Sequence, residues 1–409
     1  MAQRMGPWGR RPAPDAARAG GAIAGRAGGE TDAAGAGGET DAAQAGPPPS
    51  HYPCGACGAM LGYQPGAEEL LCAFCGATTR IAQADALASA AAVAERDLSA
   101  ALRAGGATAD LETTEVVRCE ACGARVTFEA GVHAETCPFC ASPIVGETSP
   151  DRHVKPQAVL PFAIDAKQAG AAVTRWLGGL WFAPSGLSRQ ARTGALSGVY
   201  TPYWTFDAQA EAAYSGERGD AYTVTVRGRD GKPQSVTRIR WRPARGRVSR
   251  AFDDVLTVGS TSLPREDAEA LAPWDLSDLR PYDRDWLAGF RAEAYTVDLA
   301  QAWGHAREAM ERTMAADARR AIGGDMQRLH RLDMRLEGET FKHLLLPVWI
   351  GAYRWRGAVY RVLVNGRTGA VRGSRPWSVW KIALAVLAAL ALAAAAALLA
   401  LAADGRLPG

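Results

Sequence analysis

The chain has no cysteine before Cys54 or after Cys140, and the eight it has fall entirely into C-x-x-C pairs. That distribution argues against a disulfide framework, because paired cysteines in a reducing compartment read as metal ligands. There is no phosphate-cradling G-x-x-x-x-G-K-[ST] loop: the only Gly-Lys pair, Gly231-Lys232, is followed by proline. A nucleotide-driven helicase motor is thereby excluded. Nucleophile elbows, dinucleotide-binding glycine loops and zinc-protease helices are missing too. Asp253-Asp254 and His343 are acid–base residue types, but their spacing gives no paired geometry, and no enzyme is expected. Met1 to Pro49 contains no continuous apolar core, so no secretory leader is expected and the body should stay in the cytoplasm. An excess of either charge is lacking as well: 46 basic residues nearly balance 43 acidic ones, and the net charge of +3 at pH 7 is too weak to name a partner. Lysine is rare beside arginine and alanine is abundant, a composition suggesting a GC-rich bacterial genome.

What is present reads as a multidomain chain of 409 residues. The expected fold class is two small four-cysteine zinc ribbons of β-structure, an α+β globular domain and one C-terminal transmembrane α-helix. Residues 1–50 are Gly/Ala-rich, with AGGETDAA at 27–34 and again at 36–43. Such a segment has too few large apolar residues to offset its ordering entropy, and disorder is expected. Residues 51–80 are read as the first ribbon, 81–106 as a helical linker and 116–146 as the second ribbon. Residues 155–373 are read as the α+β domain and 382–403 as the membrane span.

The ligand spacing is identical in the two ribbons. Cys54 and Cys57 are followed after fourteen residues by Cys72 and Cys75, and Cys119 and Cys122 likewise by Cys137 and Cys140. Two C-x-x-C knuckles bring four thiolates around one ion with metal–sulfur bonds of about 2.3 Å. Glycines after a second cysteine (Gly58, Gly76, Gly123) suit a backbone that curls toward the metal. Four sulfurs leave no open coordination position, so two structural Zn2+ ions are expected and zinc catalysis is not. His51 and His133 are read as bystanders. Glu68-Glu69 and Leu70-Leu71 in one ribbon, and Glu129, Ala134 and Glu135 in the other, predict neither a basic surface nor an exposed aromatic platform.

Ile382–Ala403 is 22 residues without a polar side chain, long enough as a helix (about 33 Å) for a hydrocarbon core of about 30 Å. Trp377 and Trp380 stand where an interfacial belt belongs. Arg372, Arg375 and Lys381 precede the span and only Arg406 follows it. The positive-inside rule then keeps everything before Ile382 in the cytoplasm.

Within the α+β region, Asp165 is placed to cap a helix to about Leu177, and Asp298 one to Ala321. Asp230-Gly231 predicts a hairpin between Tyr222–Arg227 and Ser235–Arg242, and Leu345–Trp355 another with Ala358–Val364. Helix then PYW (Pro202–Trp204) echoes helix then PVW (Pro347–Trp349), the mark of a distant internal duplication. The aromatics around both motifs are expected in a core. On a strand, Arg238, Arg240 and Arg242 would share one face with Ile239 and Trp241 on the other. Such a stripe suits an anionic ligand, lipid headgroups or nucleic-acid phosphates, or else is a solvated face.

The segments KPQAVLPFAID (155–165), GVYTPYWTFDAQAEAAYSGERGD (198–220), GRVSRAFDDVLTVGSTSLP (246–264), LAGFRAEAYTVDL (287–299), TFKHLLLPVWIGAYRWRGAVYRVLVNGRTG (340–369) and PWSVWKIAL (376–384) carry a family resemblance. With the cysteine modules, the chain resembles the bacterial membrane-anchored double zinc-ribbon proteins, of transcription-factor-IIB-type zinc ribbon. Members are often labelled primosomal protein N-prime or superfamily II helicase. Ala141, where a knuckle glycine is usual, and the long Gly/Ala tail depart from the pattern. The resemblance implies a membrane-associated adaptor working beside flotillin-like and phage-shock-type envelope proteins. Together these readings predict a non-enzymatic scaffold in the bacterial inner membrane, single-pass and mostly cytoplasmic, holding protein partners and no small-molecule substrate. The competing expectation is a nucleic-acid-binding zinc-ribbon protein without a motor of its own.

Overall fold

The computed structural model describes residues 52–82, 85, 89–91, 93–104, 111–127, 134–140, 142–145, 148–187, 192–193, 196–228, 232–356 and 358–403. The Gly/Ala tail, His51, Gly105-Gly106, His133, Ala141 and the Asp230-Gly231 turn lie outside these residues.

Three strands far longer than the usual five or six residues organise the body. The elements that build it are β1 (Ala158–Val159), α1 (Ala166–Gly178), β2 (Ser197–Arg227), β3 (Pro233–Val258), β4 (Arg291–Ala292), α2 (Leu299–Ile322), β5 (Met326–Trp355), β6 (Ala358–Asn365), β7 (Val371–Gly373) and α3 (Val379–Ala403). β2 lies between β3 and β5, antiparallel to both, and β5 continues into β6 and β6 into β7. The hairpin expected around Asp230-Gly231 is thus much longer than its local sequence signal: its strands have 31 and 26 residues. Bulges near Asp207 and at Ser215/Gly216 let such long strands bend and twist together.

The PYW and PVW echo is a repeated unit in space. Each unit runs short strand, capped helix, long strand and hairpin partner: β1–α1–β2–β3, then β4–α2–β5–β6. Asp165 and Asp298 cap α1 and α2 by the same capping box, with Gln168 and Gln301 returning the bond. β1 pairs parallel with β5, and β4 pairs parallel with β2, so each short strand completes the other unit's long strand. Trp349 Nε1–H donates to the Ile164 carbonyl at 3.0 Å, and Trp204 Nε1–H to Val297 at 3.0 Å. Gly366 N–H donates to Pro347 O at 2.8 Å, and Gly259 N–H to Pro202 O at 2.8 Å. A Cβ would lie 2.7 Å from the proline oxygen at Gly366 and 3.1 Å at Gly259, so this close approach is what the two glycines permit. Thr201 faces Leu346 in the β2–β5 ladder, where a local two-fold relates the units.

One sheet face carries α1 over Phe162, Tyr200, Leu345 and Trp349, and α2 over Trp204, Phe206 and Phe341. The other face buries Tyr203, Leu344, Leu346 and Val348 against Leu263 and Leu271. The aromatics of both motifs are core residues, as expected. α2 then runs out along the sheet, setting Met314 against Ala210 and Ala212. Past the β5 end at Met326, β2 and β3 continue alone as a two-stranded ribbon.

The linker differs from the continuous helix expected. Residues 89–91 are helical, but Arg96–Asp97 is extended and pairs with Thr340–Phe341 of β5. A six-residue helix, Leu98–Arg103, starts only after Asp97, whose carboxylate accepts from the Ala100 N–H. Pairing to β5 and that cap override the helical propensity of the alanine-rich stretch.

Candidate metal centres

The first cysteine module is a meander of Leu61–Tyr63, Glu69–Cys72 and Thr78–Arg80. Its knuckles close by Gly58 N–H to Cys54 O (2.8 Å) and Gly76 N–H to Cys72 O (3.0 Å), with both glycines in the left-handed region. Cys54 and Cys75 sulfurs are 3.5 Å apart, as are those of Cys57 and Cys72. In the second module Gly123 N–H bonds Cys119 O at 2.7 Å. There Cys119–Cys140 and Cys122–Cys137 are 3.6 and 3.7 Å apart. All four sulfurs of each set lie within 4.8 Å of one another. A tetrahedral ion with bonds of about 2.3 Å would separate its sulfurs by about 3.8 Å. Each of the two four-cysteine groups could therefore hold a metal ion.

The thiols within each set shift in opposite directions. Backbone N–H groups of Cys75 and Phe74 pull the Cys72 thiol down to about 6. Burial pushes Cys140 up, yet hydrogen bonds from Ser142 bring it down to about 7. Cys57 gains from the Ala59 N–H but is driven up to about 12 by hydrogen bonding with Cys75 and Cys72. Without a cation, one thiolate in the set raises the cost of the next; a bound cation removes that conflict.

Neither module stands apart as a bead. Tyr63 N–H donates to Ala288 O at 2.8 Å, and Tyr63 Oη–H and Gly66 N–H both reach Phe162 O, at 3.1 and 3.0 Å. Cys54 and Cys72 belong to the same buried cluster as Phe162 and Trp349. The second module packs on β4: Ala294 N–H donates to Arg125 O at 3.1 Å, and Thr127 Oγ1–H to Ala292 O at 2.9 Å. Arg284 pairs with Glu112 in its first strand, Leu111–Arg118. Cys119, Cys137 and Phe139 share a cluster with Tyr203 and Leu346.

The two C-x-F-C knuckles are embedded differently. Phe139 is 2% exposed, whereas Phe74, at the same motif position, is 87% exposed. Cys57 and Cys75 are exposed, whereas Cys122 and Cys140 are intermediate. The first module therefore does carry an exposed aromatic, contrary to the sequence-based expectation, because nothing in the local motif says which face meets the body.

Arg238, Arg240 and Arg242 are exposed on one face of the β2–β3 hairpin, at the root of its two-stranded stretch, where β5 ends at Met326. They are not bare: Asp220 lies 3.9 Å from Arg242, and Arg240 stacks over Tyr222 at 4.8 Å. Ile239 and Trp241 on the other face do not enter a core. Both lie against Gly219, and the Arg328 guanidinium covers Trp241 at 3.9 Å.

His343 is buried, stacked on Trp204 at 4.5 Å with Nδ1 3.0 Å from Val154 O, and burial lowers its pKa to about 3. Asp253, Asp207 and Glu95 converge, but Lys342 already answers Glu95 at 3.5 Å and Asp254 at 2.9 Å. Spacing gave no sign of this cluster, because Glu95 and Lys342 meet only when the linker pairs with β5. Glu293 was also missed. It is 3% exposed, accepts from Ser260 at 2.7 Å, and burial pushes it up to about 7.

Among the described residues one helix, α3, is long and apolar enough to cross a membrane, over Val379–Leu399 with mean hydropathy 2.8. The features define a class: a mixed α/β chain with two four-cysteine clusters able to hold metal and one exposed apolar C-terminal helix. The chain is similar to a Bacillus subtilis (strain 168) protein described as uncharacterized protein YdjG. The two are 24% identical over 233 residues, 56% of this chain and 67% of that protein. No family model and no solved structure matches the chain.

Proposed function

We propose that the chain is a membrane-tethered zinc-ribbon adaptor, of the membrane-anchored double zinc-ribbon kind that it resembles. It holds protein partners on the cytoplasmic face and performs no catalysis of its own. The observation that carries this reading is the pair of closed four-sulfur sites built into the body's own cores. A metal ion there has no free position for substrate, so its role is to fix shape. Zinc suits four thiolates at tetrahedral spacing. The apolar helix is the anchor, and the cations before it favour a cytoplasmic body.

Partner contact is assigned to what projects from the body: the β2–β3 ribbon and the exposed Phe74 knuckle. The ribbon arginines stand far from the anchor. β5 runs from Met326, beside the ribbon, to Tyr353, whose hydroxyl donates to Ser374 O at the foot of α3. At about 3.3 Å per residue that path is up to roughly 90 Å. This weakens a headgroup role for the stripe and favours a protein surface. Nucleic acid is the second reading, supported by the excess of arginine along the ribbon.

The test is isolation of the full chain in mild detergent beside a variant with 222–238 replaced by a short turn. Discrete membrane proteins present with the wild type and lost with the variant are expected. Salt-sensitive co-isolation of nucleic acid, lost on Arg238, Arg240 and Arg242→Ala, would favour the second reading instead.

A further inference from the structure

Among the described residues, the tryptophans more than a third exposed are Trp181, Trp377 and Trp380, at 80%, 55% and 83%. Trp377 and Trp380 flank the start of α3. Trp181 lies almost two hundred residues earlier, in the loop after α1, yet the structure brings it to the same place. Ser378 N–H donates to Phe182 O at 2.8 Å, and Lys381 Nζ to Trp181 O at 3.2 Å. The loop is seated from the other side by Ala183 and Leu187, which are buried in the α1 core, with Leu180 packed against it. Its backbone is thus fixed to the first turn of the apolar helix, while the indole of Trp181 points into solvent. Arg375 lies over the Trp377 ring at 4.4 Å. Three solvent-facing indoles with two cations, gathered where an apolar helix leaves the body, match the chemistry of the bilayer headgroup region.

We infer that the Leu180–Phe182 loop is a second membrane contact. Trp181 enters the interfacial region of the phospholipid bilayer beside Trp377 and Trp380. The inference rests on the proposed membrane span and goes beyond it. A chain anchored by α3 alone can swing about its neck, whereas one also held at Trp181 rests on the bilayer at a set tilt. The occupant is the lipid interface, not a protein, because the indoles are continuous with the lipid-facing surface of α3.

The test uses the full chain reconstituted in phosphatidylcholine–phosphatidylglycerol vesicles, with or without bromine near the headgroup end of the acyl chains. Bromine quenches only tryptophans at that depth. Trp181→Phe and Trp380→Phe should each remove roughly a third of the quenchable emission, since three exposed indoles share it. Because Trp181 is 80% exposed, its replacement should leave the metal content of the chain unchanged. If Trp380→Phe lowers the quenchable emission and Trp181→Phe does not, the span stands and the second contact is wrong. If the protein washes off the vesicles at alkaline pH and neither variant alters quenching, the membrane reading itself fails. Trp181 shielded equally in detergent and in brominated vesicles, with the chain migrating as a dimer, would assign the loop to a second copy and overturn the inference.

Discussion

The two cysteine modules share a ligand spacing, a knuckle geometry and the C-x-F-C sequence, yet the body treats them differently. Around the second, Phe139 and the first cysteine of each pair are sealed into a core shared with Tyr203 and Leu346. Around the first, Cys54 and Cys72 face the body while Cys57, Cys75 and Phe74 face solvent. The lesson is that the shared cysteine–glycine spacing fixes the local turn and the surrounding core decides how much of it stays exposed. The second module is a plug, and the first keeps one surface available.

Removing a ligand should have the largest effect in both. Cys72→Ser or Cys137→Ser should each release one ion, and because zinc binding is worth roughly 10–16 kcal/mol, the attached part of the body should unfold with its module. Hydrogen exchange would check this. Protection retained at Tyr200 and Trp349 in Cys72→Ser would show that the first module is independent after all.

The phenylalanines sharpen the contrast. Phe139→Ala should cost about 3–5 kcal/mol in denaturant unfolding, as large-to-small changes in a sealed core do. Phe74→Ala should stay within about 0.5 kcal/mol, as an exposed side chain does. Similar costs at the two positions would break the distinction.

A smaller, pH-dependent difference separates the repeated units. Five residues before the helix cap the first unit has Leu160 and the second has Glu293, both buried. Burial raises the Glu293 pKa from 4.5 to about 7, so the folded state holds its proton more tightly than the unfolded one. Its contribution is then fully present below about pH 4.5 and is lost as pH rises through about 7. Glu293→Gln should be more stable than wild type at pH 8 by roughly 3 kcal/mol and about equal at pH 4. Equal stability at both pH values would mean that the carboxyl gains an unseen partner on folding.

The smallest effect is kinetic. A chelator should take the ion of the first module before that of the second, giving two phases, because two of its sulfurs are open to solvent. A single phase would put both sites in equal shelter.

Several of these features were legible in the sequence. The two four-cysteine clusters, the helix caps at Asp165 and Asp298, the apolar helix and the PYW/PVW echo all rest on short-range patterns that survive folding. The length of β2, β3 and β5 was hidden because an arm solvated on one or both faces shows little apolar alternation beyond its hairpin. Module docking, the Lys342 cluster, Glu293 and the place of Trp181 depend on pairings across tens to hundreds of residues. No local spacing carries them. The linker misled for a related reason: alanine favours helix, and only the edge of β5 makes Arg96–Asp97 extended.

Elemental analysis of the purified full chain beside Cys72→Ser and Cys137→Ser tests the central claim most directly. The account predicts two zinc ions per wild-type chain and one in each variant. One ion in the wild type, iron in place of zinc, or two ions retained in either variant would contradict it.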